Sequence, residues 1–243
     1  MPSSTSSSTP AAIPSTLINM IPNLVKQPSA VPSTFHLLFA HGAGAGSQHP
    51  FILALADELN ALGIHVWLFD FAYMAKAIAE NKRRPPPRLP KLEVEYLEAI
   101  NQVQAQIGDD PLWIGGKSMG GRVACHVLNS LSNEDSAKTI TGATVVGYPF
   151  HPVGKPDSLR LAVLQSSTDP ILICQGERDT FGTSDEIATY AYPDNVQVKF
   201  FVDGDHSLKP RKASGLTQSQ HISAAAQAIA NTIKKTGANN VSI

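Results

Sequence analysis

A hydroxyl, an imidazole and a carboxylate are the side chains that nucleophilic attack on a carbonyl carbon calls for. Ser118, Asp179 and His206 supply them, in that chain order. Ser118 lies in "IGGKSMGG", residues 114–121, where Gly116 and Gly120 complete a Gly-x-Ser-x-Gly spacing. Directly after a strand and before a helix, this spacing makes a turn so sharp that side chains larger than hydrogen collide around it. Its strain holds the serine oxygen out above the sheet. In such a setting His206 takes the Ser118 proton and later returns it to the leaving group. Asp179 holds the imidazole tautomer and stabilises the imidazolium.

"GKS" also ends a phosphate-binding loop, which requires Gly-x-x-x-x-Gly-Lys-Ser. Here the first glycine would be Pro111, and residues 112–115 read as the strand "LWIG", so that alternative fails twice. On the turn alone, a serine that merely caps the following helix is an open alternative, and the partner residues must decide. A carbonyl under attack builds an oxyanion that needs donors already aimed at it. The backbone N–H of Met119 is one such donor. "HGAGAG", after the strand "FHLLFA", offers the other, with Ala43 first, Gly42 next and His41 placed to orient the turn. As a dinucleotide fingerprint with Asp70 on a ribose, the same loop fails at its third glycine, which would be Ser47; Gly46 comes one place early. Glu177 and Asp169 compete with Asp179, but Glu177 is closer to the strand and Asp169 precedes it. "DGDH", residues 203–206, lacks further metal ligands at a sensible spacing. No metal and no organic cofactor is required. His36, His65, His126, His151 and His221 are expected to pack or to face solvent.

These residues need a scaffold that gathers distant strand ends. Apolar runs alternate with helical patterns along the chain. "FHLLFA" precedes a helix marked by Ile52, Leu55, Leu59 and Leu62 and ended by Gly63. The strand "HVWLFDF" and a long loop follow. A second helix then sets Tyr96, Ile100, Val103 and Ile107 on one face, turns Glu93, Glu95 and Glu98 outward, and stops at Gly108. "LWIGG", a helix from residue 119 to 131, and the strands "ATVVGY", "ILICQG" and "VQVKFF" come next. A last helix aligns Ile222, Ala226, Ile229 and Ile233 and stops near Gly237. About six strands, most followed by helices, predict an α/β fold with a mostly parallel sheet covered on both faces. Ligands of such sheets bind beyond the carboxyl ends of the strands, where Ser118, Asp179 and His206 all fall.

The chain has 243 residues, 42% of them hydrophobic, and a formal charge of −1. That suits one α/β domain and gives no push towards nucleic acid or membrane. No run reaches the ~18 apolar residues of a spanning helix. Cys125 and Cys174 read as small buried hydrophobes rather than a disulfide framework. The opening "MPSSTSSSTPAAIPS" cannot bury a core, so residues 1–34 are expected to be a flexible tail and residues 35–243 a single domain. Within that tail, "LINMIPNLV" (17–25) is the one candidate fragment of a strand. No basic residue precedes Lys26, which makes the start a poor targeting signal and the cytoplasm the default, with the nucleus open.

"HGAGAG", "GGKSMGGR", "GYPFHPVGKPD", "GERDTFG" and "GDHSLKP", taken in series, resemble a family of small α/β-hydrolases related to dienelactone hydrolases. The family includes bacterial hydrolases and eukaryotic relatives of testis-expressed and non-specific-lethal chromatin-complex subunits. The resemblance covers roughly residues 35 to 236. It implies an α/β-hydrolase fold, a Ser118–Asp179–His206 triad and esterase-like activity. It also implies that some relatives serve as interaction subunits. A proline often stands in the family pattern where this chain has Ala72.

The stretch between Tyr148 and Ile171 is too short for a large cap domain, which points to an open pocket and small esters. Lys82, Arg83, Arg84, Arg88 and Lys91 crowd the proline-stiffened "NKRRPPPRLPK". Arg83, Arg84 and Tyr73 are therefore candidate substrate contacts favouring anionic acyl groups; a solvated basic loop or a partner's docking strip is the competing reading. "HPVGKP" is expected to form a rigid rim. Two classes stay in play: a serine hydrolase acting on small esters or thioesters, and an interaction module that keeps the fold.

Overall fold

The computed structural model describes residue 21, residues 23–132 and residues 139–240. Its sheet has seven strands: β1 (Val25–Gln27), β2 (His36–Ala40), β3 (His65–Phe69), β4 (Leu112–Lys117), β5 (Ile140–Val146), β6 (Ile171–Gly176) and β7 (Val196–Phe201). Their spatial order is β1-β3-β2-β4-β5-β6-β7. β1 runs antiparallel to β3, and every other pairing is parallel. Parallel neighbours require crossover connections. The long crossover helices are α1 (Pro50–Ala61), α3 (Leu89–Ile107) and α4 (Met119–Ser132), and the long α7 (Gln218–Asn240) follows the last strand. Shorter helices are α2 (Ala72–Ala79), α5 (Ala162–Gln165) and α6 (Ser184–Ile187).

Strand alternation splits the apolar residues into two cores. Leu38, Ala40, Leu112 and Ile114 pack with Tyr96 of α3 and Val123 of α4. Leu37, Phe39 and Trp113 pack with Leu55 of α1 and Ile229 of α7 on the other face. A sheet buried on both faces explains why its strands read as continuous apolar runs. Chain direction across the sheet reverses between β2 and β4, so the crevice beyond their carboxyl ends is a topological switch point. The turn at 41–46 and Ser118 both enter that crevice.

The structure corrects the sequence reading at four places. First, β1 adds a strand inside the expected tail, and Ile21 is buried in the core, so the packed domain reaches back to residue 21. Residues 1–20 and 22 of that tail lie outside the described residues. β1 is short and mostly exposed, so no hydrophobic pattern announces it. Second, the long loop contains α2, which buries only Met74 and therefore carries no apolar stripe. Third, Glu95 is buried rather than outward-facing. Its carboxylate accepts the Ala72 N–H at 2.8 Å, placing negative charge at the start of α2, where the helix dipole favours it. A proline at 72, as in the family pattern, has no N–H for this contact. Fourth, α7 runs through Gly237 to Asn240. A Cβ on Gly237 would lie 2.6 Å from the Phe35 ring, so this glycine serves close packing, not termination.

Candidate active site

Ser118 is the single residue between β4 and α4, and it holds a left-handed backbone with φ of 53°. Its N–H donates to the Val146 carbonyl at 3.0 Å, and its own carbonyl accepts the Arg122 N–H at 3.0 Å. A left-handed conformation costs a residue with a Cβ roughly 1–2 kcal/mol. The elbow glycines are required sterically. A side chain on Gly116 would come within 2.7 Å of the Ala40 carbonyl, one on Gly120 would strike the His41 carbonyl, and one on Gly121 would strike Val145. Tyr96 stiffens the strand leading in: its hydroxyl accepts the Gly115 N–H at 2.9 Å and lies 2.7 Å from the Gly115 carbonyl and 3.0 Å from that of Leu38.

The three sequence-predicted side chains meet. His206 Nε2 lies 2.8 Å from Ser118 Oγ, and Nδ1 lies 2.8 Å from Asp179 Oδ2. With Nδ1–H donating to the carboxylate, Nε2 is free to accept the serine proton. Asp179 is fully buried. It accepts the Phe181 N–H at 2.9 Å and the Gln175 side-chain amide at 2.9 Å. A buried carboxylate needs such donors. Gln175, which sequence reasoning missed, also takes the Tyr148 N–H at 2.8 Å and so ties the ends of β5 and β6 together. An amide in a strand interior carries no sequence signal for this role. Around His206 the loop is braced by its acids. Asp205 accepts the Ser207 and Lys209 N–H groups at 2.8 and 2.9 Å. Asp203 pairs with Arg178 and Arg211, and the rival acid Glu177 accepts the Asp203 N–H at 2.8 Å. Asp169, the other rival, precedes β6 at the opposite end of the sheet. Among the described residues no group of three or more His, Cys, Asp or Glu is placed to hold a metal ion.

His41 orients the turn above Ser118. Its Nδ1 donates to the Gly42 carbonyl at 2.6 Å, while Nε2 accepts the Phe71 N–H at 3.1 Å. Both ring nitrogens are thus used by one neutral tautomer, and burial holds the imidazole below its ordinary pKa. Because the peptide is planar and trans, fixing the Gly42 carbonyl turns the Ala43 N–H to the opposite side. Gly42 and Ala43 line the cavity that holds Ser118 and His206. The Met119 N–H is the first of α4 and has no intrahelical acceptor. Asp70, instead of meeting a ribose, is buried and accepts the Ser47 N–H at 2.7 Å.

The cavity over Ser118 measures about 430 Å³, and Phe51, Ile52 and Phe181 form its apolar walls. Two further residues that sequence reasoning did not assign a role complete it. His49 caps α1 by accepting the Phe51 N–H at 3.2 Å. Lys117 reaches across to donate to the His206 carbonyl at 2.5 Å, and its ammonium lies 5.9 Å from the centre of the Phe51 ring. Burial pulls the Lys117 pKa down to about 8, against the nearby Asp179 and Asp205 carboxylates. Arg83 and Arg84 do not line this cavity but a neighbouring one, and the Tyr73 hydroxyl donates to the Ala43 carbonyl at 3.2 Å. Residues 151–156 do not line it either: the His151 N–H donates to the Phe181 carbonyl at 3.2 Å and braces that loop from behind. Cys125 and Cys174 are buried and free, their thiols pushed up to about 12 by burial.

A parallel sheet with this switch point, and a serine on a strand–helix elbow facing a histidine, define the α/β-hydrolase class. The chain belongs to the family described as "Alpha/beta hydrolase domain", whose model matches residues 33–234. An α/β serine hydrolase homologue from Coxiella burnetii superimposes with a TM-score of 0.63 at 14% identity, covering 86% of this chain and 90% of the other. A dienelactone hydrolase from Anabaena variabilis gives 0.61 at 19% identity, covering 87% of each chain. The lysophosphatidylserine lipase ABHD12 of Gallus gallus is 28% identical over 116 residues, 47% of this chain. That match spans only 28% of the lipase's own length. No described helix is long and apolar enough to cross a membrane.

Proposed function

We propose that this protein is a serine hydrolase that cleaves small carboxylic esters or thioesters through an acyl-enzyme on Ser118. The observation that carries the reading is the unbroken relay from Ser118 Oγ through His206 to the buried Asp179, 2.8 Å at each step. His206 Nε2 takes the hydroxyl proton as Oγ bonds to the carbonyl carbon. The oxyanion forms within the reach assigned to the Met119 and Ala43 N–H groups, with Gly42 shaping the approach. Collapse breaks the bond to the leaving group, which takes the proton from His206. Water, deprotonated by His206, then releases the acid and restores Ser118.

The open cavity and the absence of a cap between β5 and β6, where the chain forms only the short α5, favour small soluble esters. Neither a metal nor an organic cofactor enters these steps. Two buried free thiols suit a reducing, cytoplasmic setting.

A fluorophosphonate probe with p-nitrophenyl acetate tests the reading. Labelling of the wild type, lost with turnover in Ser118→Ala, is the expected result. Folded wild-type protein that neither labels nor turns over overturns it in favour of an interaction module that retains the fold.

A further inference from the structure

We propose that the cavity on the far side of the oxyanion turn is a subsite for a terminal carboxylate or phosphate, so that the substrate is an ester whose apolar acyl chain ends in an anion. The proposal rests on the reading of Ser118 as nucleophile. This second cavity measures about 710 Å³. It shares Ala43, Gly44 and Ala45 with the cavity over Ser118, so the turn at 43–45 is the common wall between them. Three extended residues span at most about 10 Å, a distance that a medium-length acyl chain covers.

The lining is divided by chemistry. Met74, Ala77, Ile78 and Pro86 give it an apolar side, and Ile78 is left 55% exposed there. Lys82, Arg83 and Arg84 give it a cationic side with no carboxylate among its lining residues. The neighbouring Glu80 is already engaged on both oxygens, by Lys76 at 3.8 Å and by Arg84. The charges of Lys82 and Arg83 are therefore left uncompensated by Glu80. Arg84 Nε is buried without a hydrogen-bond partner.

The site is also built rather than loose. Asn81, with φ of 49°, redirects the chain after α2, and the Lys82 N–H closes the helix end on the Ala77 carbonyl at 2.9 Å. Pro85, Pro86 and Pro87 stiffen the segment that follows. On the opposite wall, Tyr73 fixes the Ala43 carbonyl, and Gly46 packs so closely on α2 that a Cβ would sit 2.9 Å from Ile78 Cδ1. A stiff segment spares the backbone share of the ordering cost when an anion binds.

The test uses the full chain and p-nitrophenyl esters in matched sets: butyrate against monosuccinate, octanoate against monosuberate, and a phosphate-terminated chain of suberate length. The wild type should prefer the charged long esters to octanoate, and the better of the two anions identifies the source. Lys82→Glu combined with Arg83→Glu should lower kcat/KM for those charged esters about tenfold more than for octanoate, chiefly through KM. Equal losses on charged and neutral esters overturn the subsite while leaving the hydrolase reading intact. Absence of both fluorophosphonate labelling and neutral-ester turnover overturns the parent reading instead.

Discussion

The ammonium of Lys117 holds the main-chain carbonyl of His206 at 2.5 Å, so the residue before the elbow serine clamps the loop that carries the histidine facing it. Strand β4 thereby fixes both ends of the 2.8 Å Ser118–His206 contact. Lys117→Met removes the clamp and should lower kcat more than it raises KM. The charge also has a stability signature. Folded Lys117 gives up its proton near pH 8, whereas the unfolded chain keeps it until its ordinary value of 10.5. At this group the unfolded state binds more protons across that window, so the Lys117 contribution to stability grows as pH climbs from about 8 to 10.5. The buried Cys125 and Cys174 thiols, raised to about 12, pull the other way above pH 9. Urea titrations should show the stability difference between wild type and Lys117→Met moving in favour of the wild type, on the order of 3 kcal/mol, between pH 8 and 10.5.

Removing the relay should be nearly complete in effect. Asp179→Asn and His206→Ala are each expected to cost about 10⁴-fold in kcat with p-nitrophenyl acetate. Gln175→Leu keeps the triad but strips a donor from buried Asp179. A smaller loss of kcat, with a lowered melting temperature, should mark it.

Ser118 trades stability for position. Ser118→Ala should abolish labelling and keep the strain, because alanine also has a Cβ. Ser118→Gly should unfold at higher denaturant than Ser118→Ala, by about 1 kcal/mol at 25 °C, since glycine adopts the left-handed conformation freely.

A methyl at Gly120 has nowhere to go. Gly120→Ala would press on the His41 carbonyl and the Ala40 side chain. Its expected cost is about 1–3 kcal/mol, read by chemical denaturation, together with loss of turnover as the elbow and the oxyanion turn are forced apart.

Acid should weaken the fold in a defined window. Burial, aided by nearby positive charge, lowers His36 and His126 from 6.5 to about 4, and burial also lowers His41. Unfolded imidazoles take up protons from about pH 6.5 downward, before the folded ones do, so stability falls as pH drops from 6.5 towards 4. His126→Gln should flatten that slope in a series of urea titrations.

Much of this protein was legible in one dimension because its signals are local. The spacing of Gly116, Ser118 and Gly120 points to the elbow, since near-contacts at that turn permit only hydrogen at both glycines, but the partner residues were needed to set it apart from a helix-capping serine. All six expected strands, and four helices, follow from runs and periodicities that a two-faced sheet imposes. Chain order together with strand ends singles out Asp179 and His206, because each stands just beyond a strand that ends on the same edge. The fold brings His206 to 2.8 Å from both Asp179 and Ser118.

What escaped were contacts made between segments far apart in the chain. β1 belongs to the sheet through its pairing with β3, not through its own exposed residues. Glu95 lies on what reads as a polar face, yet its place over the start of α2 makes a buried carboxylate favourable there. Gln175 and Lys117 look like ordinary strand residues until β5, β6 and the His206 loop close around them. The basic loop likewise turned out to border a second cavity rather than the one above Ser118. Local sterics are written into sequence spacing; the neighbour that satisfies a buried donor or charge is chosen only when the chain has folded.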